Sequence, residues 1–369
     1  MRALLLTAFG TEPVLTDVPD PDCPPHGVVV RVEATGLCRS DWHGLMGHDP
    51  DVALPHVPGH EFAGVVAEVG ADVRGWRVGQ RVTAPFVNAC GSCGPCRAGR
   101  QQVCARQTQP GFTRWGSFAE LVVVDHAEVN LVALPAEVDA VTAAGLGCRV
   151  ATAFRAVVEV GRVAAGEWVA VHGCGGVGLS AVLIARACGA RVVAVDVVPA
   201  ALALASRFGA DAVVDASALG AGPDGGPDGV ADGGPDGVAA AVRRAAAAAG
   251  GSDGVHLSLD ALGSEATCHA SIAGLLPAGR HVQVGLLPSA LGLPRVPMHL
   301  VVGGELEVLG SHGMAARSYP GLLGLVASGR LDASALVNRR VTLAEAGPLL
   351  LGAGSAGAGA TAGITVACP

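Results

Sequence analysis

Four cysteines stand at Cys90, Cys93, Cys96 and Cys104 in the run CGSCGPCRAGRQQVC, a C-x2-C-x2-C-x7-C spacing. Four thiolates this close in sequence can close a tetrahedron around one zinc ion, with sulfur at roughly 2.3 Å. A tetrahedron with no open position braces a fold and does no chemistry on a substrate. Gly91, Gly94, Pro95 and Gly99 supply the turns that wrapping a metal requires. Two disulfides, or an iron–sulfur cluster on the first three cysteines, are the competing readings. The chain has 11 cysteines, and at this length motif spacing reads as metal binding before disulfide formation, which fits a reducing, cytoplasmic location.

A second chemistry is written in Gly173-Cys-Gly-Gly-Val-Gly178, a G-x-G-x-x-G pattern comprising Gly173, Gly175, Gly176, Val177 and Gly178. It follows the apolar run EWVAVH and opens the helical run LSAVLIARACG, the context that gives the pattern its meaning. Glycines there let the backbone approach a pyrophosphate, and the helix N-terminus presents free N–H groups to it. Asp196 follows at the end of the next strand. A carboxylate in that place accepts hydrogen bonds from ribose hydroxyls and repels a 2′-phosphate, which favours NAD over NADP. The first base after it, Arg207, lies well into the next helix.

Three further fragments carry groups that bind metals or move protons: Cys38-Arg39-Ser40-Asp41-Trp42-His43, then Gly59-His60-Glu61 with Gly64, Gly70 and Val73, then Gly147-Cys148. Singly, Cys38 and Cys148 read as small buried hydrophobes and His60 as a satisfied polar residue. With the cysteine run and the glycine-rich turn, in this order, the chain resembles the zinc-dependent alcohol dehydrogenases of the medium-chain dehydrogenase/reductase superfamily. The likeness covers nearly the whole chain, with Gly220–Val238 outside it. It implies a catalytic zinc on Cys38, His60 and Cys148, leaving a fourth position for water or substrate. Glu61 would stand beside that zinc or ligate it transiently, and Asp41 would orient His60. Cys90, Cys93, Cys96 and Cys104 would hold a second, structural zinc.

The implied activity is reversible oxidation of an alcohol to an aldehyde or ketone by hydride transfer to nicotinamide. Zinc would act as Lewis acid, with Ser40 and His43 relaying the proton. Arg39 matches the residue that meets the pyrophosphate in the family, and Phe86 a wall of the substrate pocket to which Trp42 adds bulk. Val284, Gly285 and Leu286, with Ser311, fall where relatives meet the nicotinamide. The family often has a lysine shortly after the ribose-binding acid; Ala200 and Ala201 stand there instead. A polyol or sugar-alcohol dehydrogenase is the alternative within the superfamily, although those often carry a carboxylate in place of Cys148. A non-enzymatic zinc-binding module is the alternative outside it. The resemblance implies a homodimer or homotetramer and a small alcohol as partner.

The elements that must position these groups follow from composition and texture. The 369 residues, half of them hydrophobic, suffice for two domains. Net charge is −8, and all 24 basic residues are arginines in no basic run, which argues against a nucleic-acid partner. The N-terminal run MRALLLTAFGTEP is too short for a signal peptide, and no 18-residue apolar stretch free of glycine and charge predicts a membrane span. Short strands and Gly/Pro turns fill the first third, predicting an all-β body. From about Val150 strands and helices alternate, predicting a parallel sheet. The fold class expected is thus α/β, a Rossmann doubly wound sheet joined to an all-β, GroES-like catalytic domain with a structural-zinc lobe at about 88–106. Boundaries are expected at 1–149, 150–311 and a return over 312–369. Gly220–Val238, with three Pro-Asp-Gly repeats and little apolar content, is expected to be a disordered insertion.

Overall fold

The computed structural model describes residues 1–220, 234–287, 293–353 and 363–369. They divide into two compact units, Met1–Ala151 with Gly313–Pro369, and Thr152–His312.

The chain opens with an antiparallel pair, β1 (Arg2–Leu5) and β2 (Val14–Asp17). Then come β3 (Val28–Gly36), α1 (Arg39–Leu45), β4 (Glu61–Val69), β5 (Arg81–Thr83), α2 (Gly94–Arg97), β6 (Leu121–Val124), α3 (Ala127–Asn130), β7 (Val132–Ala133) and α4 (Ala140–Gly145). Val28, Val30 and Val32 alternate along β3 and turn one face inward, where they meet Phe62, Val66, Val82, Val122 and Val124. Antiparallel register sets Gly36 opposite Glu61. That pairing brings the start of α1 and the start of β4, hence Cys38 and His60, to one end of the sheet.

A helical run over Ala140–Val160 is long and apolar enough to cross a bilayer, yet 78% of its most apolar window is buried in the protein. It reads as a core helix. Within it, Leu146–Val150 forms a wide, π-type turn before α5 (Ala151–Phe154), and Arg155–Val160 forms another. Such turns are uncommon and are frequently found where function needs a side chain re-aimed; Cys148 and Arg149 lie on the first.

The second unit carries β8 (Trp168–His172), α6 (Gly176–Ala187), β9 (Arg191–Asp196), α7 (Pro199–Arg207), β10 (Ala212–Asp215), α8 (Gly234–Ala248), β11 (Val255–Asp260), α9 (Glu265–Ala273), β12 (Leu275–Gln283), α10 (Met298–Gly303) and β13 (Glu307–Gly310). Its sheet runs β10-β9-β8-β11-β12-β13 with every neighbour parallel. Counted from β8 this is the order 3-2-1-4-5-6 of the doubly wound nucleotide-binding fold. β8 and β9 are near-continuous runs of buried Val and Ala, as a sheet covered on both faces demands.

The tail contributes α11 (Tyr319–Ala327), β14 (Val337–Thr342), α12 (Leu343–Gly352) and β15 (Ile364–Cys368). β14 and β15 extend the first unit's sheet, ordered β14-β15-β3-β4-β5-β7, with β6 on β3. α12 starts at a capping box in which Glu345 accepts from the Thr342 N–H at 2.7 Å.

The expected insertion is corrected at both ends. Gly220 closes a turn over Ala218–Gly220, and Gly234–Val238 form the opening of α8. Asp236 suits the positive end of that helix and pairs with His269 at 3.2 Å, while Val238 packs on the β8–β9 core. The rest of the insertion, 221–233, lies outside the described residues.

Candidate active site and metal centres

Cys38 is the residue immediately before α1, and Asp41, three residues on, reaches back to its backbone N–H at 2.9 Å. The other Asp41 oxygen accepts from Gly59 N at 3.1 Å and from His60 Nδ1 at 2.9 Å. One buried carboxylate thus ties together the two segments that present Cys38 and His60. With Nδ1 donating to Asp41, the Nε2 atom of His60 is left to face inward, and it is buried without any hydrogen-bond partner. Around it, donor atoms of Cys38, His60, Glu61 and Cys148 all lie within 4.8 Å of one another. An orphaned imidazole nitrogen beside two thiols is a donor set for zinc, and the residues present fit such an ion. Burial acts to lower the His60 pKa, but the charge and hydrogen bond of Asp41 and the nearby Cys38 sulfur hold it well above the usual value. The hydrogen bond from the Cys148 thiol, with His60 and Arg149, draws Cys38 well below the ordinary thiol range, against its burial.

Glu61 is fully buried, and burial raises its pKa to about 7 against the pull of Arg149. Arg149 meets it with two bonds, Nε to Oε1 at 3.1 Å and Nη2 to Oε2 at 2.6 Å. Room for that carboxylate is left by glycines: a Cβ on Gly36 would stand 2.4 Å from Glu61 Oε2. Tyr319, the one tyrosine of the chain, is fully buried and donates to the Gly147 carbonyl at 3.1 Å, which pins the wide turn bearing Cys148. Phe112 packs on the His60 ring at 5.1 Å between centroids, and Phe86 stands edge-on to it at 6.2 Å.

The second cluster is the cysteine run. Cys93 Sγ lies 3.4 Å from Cys96 and 3.6 Å from Cys104, and Cys104 lies 3.5 Å from Cys90. A tetrahedron with sulfur at roughly 2.3 Å from zinc has edges of about 3.8 Å, so the four thiols already sit near ligand spacing. Left-handed backbone at Gly91 and Gly99 (φ +71° and +73°) makes the loop. The Ser92 N–H, with the Arg106 guanidinium, brings Cys90 down to about 5, while burial pushes Cys96 up to about 12. No disulfide joins any of the 11 cysteines.

In the second unit, Gly173 takes φ +88°, and a Cβ on Gly178 would lie 1.8 Å from the Gly173 carbonyl oxygen. The first and last glycines of the pattern are therefore obligatory. Gly175 directly precedes α6, whose first residues are Gly176 and Val177. Asp196 sits at the end of β9 beside this turn, one oxygen accepting from Cys174 N at 2.5 Å, the other from Val197 N and Val198 N at 2.7 and 2.9 Å. Val284 N and Gly285 N both donate to the Asp260 carbonyl, and Leu286 is exposed. Ser311 is buried and accepts from Arg155 at 3.1 Å.

The structure thus gathers Cys38, His60, Glu61, Cys148 and Asp41 at one point, with Phe86 beside them. Ser40 Oγ is 3.8 Å from Cys38 Sγ. Arg39 and His43 are exposed on α1, and Trp42 is half-buried against His43. Arg149, Tyr319 and Phe112 were missed by sequence reasoning. None of the three carried a signal of its own; Arg149 is one of three charges, with Arg155 and Glu159, in the run Ala140–Val160.

Residues 24–136 match the alcohol dehydrogenase GroES-like domain, and residues 176–328 match the zinc-binding dehydrogenase family. An alcohol dehydrogenase of Rhizobium meliloti is 40% identical over 220 residues, 59% of this chain and 64% of that protein. An L-threonine 3-dehydrogenase of Sinorhizobium medicae is 38% identical over 226 residues, 59% of this chain and 63% of that protein. The aligned segment therefore spans just under two thirds of these relatives. The solved alcohol dehydrogenase from Thermus sp. ATN1 superposes with a TM-score of 0.85 at 29% identity, covering 100% of this chain and 99% of that one. With the two family models together covering most of the chain, the chain belongs to the zinc-dependent alcohol dehydrogenase family of the medium-chain dehydrogenase/reductase superfamily.

Proposed function

We propose that the protein interconverts an alcohol and its aldehyde or ketone, using NAD and two zinc ions, one catalytic and one structural. The observation that carries the reading is the orphaned His60 Nε2 facing the thiols of Cys38 and Cys148. These three residues would hold a zinc ion that would supply a Lewis acid for a hydroxyl or carbonyl oxygen, and nicotinamide would supply the hydride acceptor.

The protein's own residues do the rest. Asp41 fixes the tautomer and orientation of His60. Arg149 compensates the charge of Glu61 and keeps it clamped beside the thiols. Ser40, next to Cys38, takes the hydroxyl proton, and His43 on the exposed face of α1 carries it toward solvent. Phe86, with Trp42, bounds the substrate. Val284, Gly285, Leu286 and Ser311 would meet the cofactor, the N-terminus of α6 would receive its pyrophosphate and Asp196 its ribose hydroxyls. Cys148, a thiol where polyol-specific relatives often carry a carboxylate, favours simple alcohols over polyols. Cysteines held without disulfides fit a reducing, cytoplasmic setting. The free edge of β13, with exposed Val308 and Val302 nearby, fits self-association through the second unit.

Metal analysis together with nicotinamide reduction over a panel of primary and secondary alcohols, polyols and L-threonine tests the reading. Two zincs per chain and turnover with simple alcohols are expected; a single zinc, or a Cys38→Ser variant that still turns over, would refute it. Asp196→Ala should erode the preference for NAD over NADP, and an unchanged ratio would remove Asp196 as the selector.

A further inference from the structure

His43 and His48 face one another where α1 ends. The His48 N–H donates to the His43 carbonyl at 3.0 Å, and Gly47, at φ +72°, turns the chain so that this can happen. The two Nδ1 atoms are 3.1 Å apart. Trp42 stands edge-on to both rings, at 4.9 and 5.4 Å between centroids, and holds them together. Two ring nitrogens at hydrogen-bond distance require one N–H and one lone pair. Two Nδ1–H rings, or two imidazoliums, are incompatible with this geometry, so the pair selects opposite tautomers.

Resting on the dehydrogenase reading above, we infer that His48 is a positioning residue for His43 that completes the proton path to solvent. By accepting the Nδ1–H of His43, it leaves Nε2 as the basic nitrogen of that ring. When Nε2 gains the proton released by the alcohol, the Nδ1–H bond of His43 breaks and an Nδ1–H bond forms on His48. The Nε2–H of His48 then gives a proton to water, and both rings end neutral. Reduction of the aldehyde or ketone by the same residues runs the sequence backwards, drawing a proton in from water. The environment of His43 fits a conduit better than a terminal base: burial, Arg39 and His48 disfavour its charged form, and Cys38 and Asp49 oppose them only in part.

The test uses the full-length holoenzyme and the variants His48→Phe, His48→Gln and His43→Gln. Single-turnover formation of reduced nicotinamide, with saturating alcohol, is followed from acid to alkaline pH. His48→Phe should slow it about ten-fold or more below neutrality, a deficit that shrinks as pH rises and is relieved by added imidazole, with KM within about two-fold of wild type. His43→Gln/His48→Phe should be no slower than His43→Gln alone, because the two act in series. Independently of turnover, 15N shifts should show His43 as the Nδ1–H tautomer in the wild type and in His48→Gln, whose amide oxygen can accept, but not in His48→Phe. Multiplying rate losses, a pH-independent loss, or an unchanged tautomer in His48→Phe would each overturn the inference. If none of the alcohols supports nicotinamide reduction by the wild type, the dehydrogenase reading fails and the relay fails with it, while the tautomer signature of the paired rings would persist.

Discussion

Replacing Asp41 with Asn takes a charge and an acceptor from a side chain that is 1% exposed and receives three N–H groups, from Cys38, Gly59 and His60. An amide has one oxygen. If that oxygen keeps Gly59 and His60, the NH2 group meets the Cys38 N–H, donor against donor; the flipped amide loses two partners instead of one. Leaving a single buried N–H unpaired costs about 1–3 kcal/mol, and exchanging a charged for a neutral acceptor at His60 costs about 1 kcal/mol more. The expected total is about 2–4 kcal/mol. For a unit of this size that lowers the melting midpoint by about 4–16 °C. Because the same carboxylate orients the imidazole, zinc at Cys38, His60 and Cys148 should weaken about 10–100-fold. Competition against a chromophoric chelator measures this directly, and the four-cysteine site, which Asp41 does not touch, is the internal control. If Asp41→Asn binds both zincs with wild-type affinity, or weakens both equally, Asp41 does not position the catalytic site as argued.

Three other outcomes follow from the geometry. Glu61, raised to about 7 from an ordinary 4.5, holds a proton in the folded state that the unfolded chain has already released, so its contribution to stability falls as pH rises from about 4.5 to about 7. Metal-free Glu61→Gln should lack that slope, the two denaturant-melt curves diverging by up to about 3 kcal/mol across the window; parallel curves would contradict the shift. Tyr319→Phe leaves the Gly147 carbonyl buried without its donor and should cost about 1–3 kcal/mol, with catalytic zinc bound less tightly and the structural zinc unaffected. Gly178→Ala places a methyl 1.8 Å from the Gly173 oxygen and should abolish nicotinamide binding in calorimetry while both zinc sites still fill; tight binding by this variant would place the cofactor elsewhere.

What was legible in the sequence was what is local. The cysteine run lies within fifteen residues, and the glycine pattern sits inside one strand–turn–helix, so spacing and neighbouring residues together pointed to their chemistry. Cys38, His60 and Cys148 are different. No spacing joins them, and they were picked out through a family resemblance; physically they meet because β3 pairs antiparallel with β4 and a wide turn interrupts the helix behind them. The groups that hold those ligands were illegible for the same reason. Tyr319 reaches Gly147 across 172 residues of sequence and Arg149 reaches Glu61 across 88. No helical or strand period encodes such a contact, and a lone buried tyrosine or arginine advertises nothing until its partner is seen. The failure at Gly234–Val238 has the opposite cause. Pro-Asp-Gly repeats with little apolar content read as a disordered insertion, but Asp236 there meets a helix N-terminus and Val238 a core, and tertiary packing outweighs the local composition. His48 shows how the two kinds of information combine. Five residues from His43 it is nearly local, yet only the turn at Gly47 and the wedge of Trp42 convert that spacing into a 3.1 Å contact between ring nitrogens.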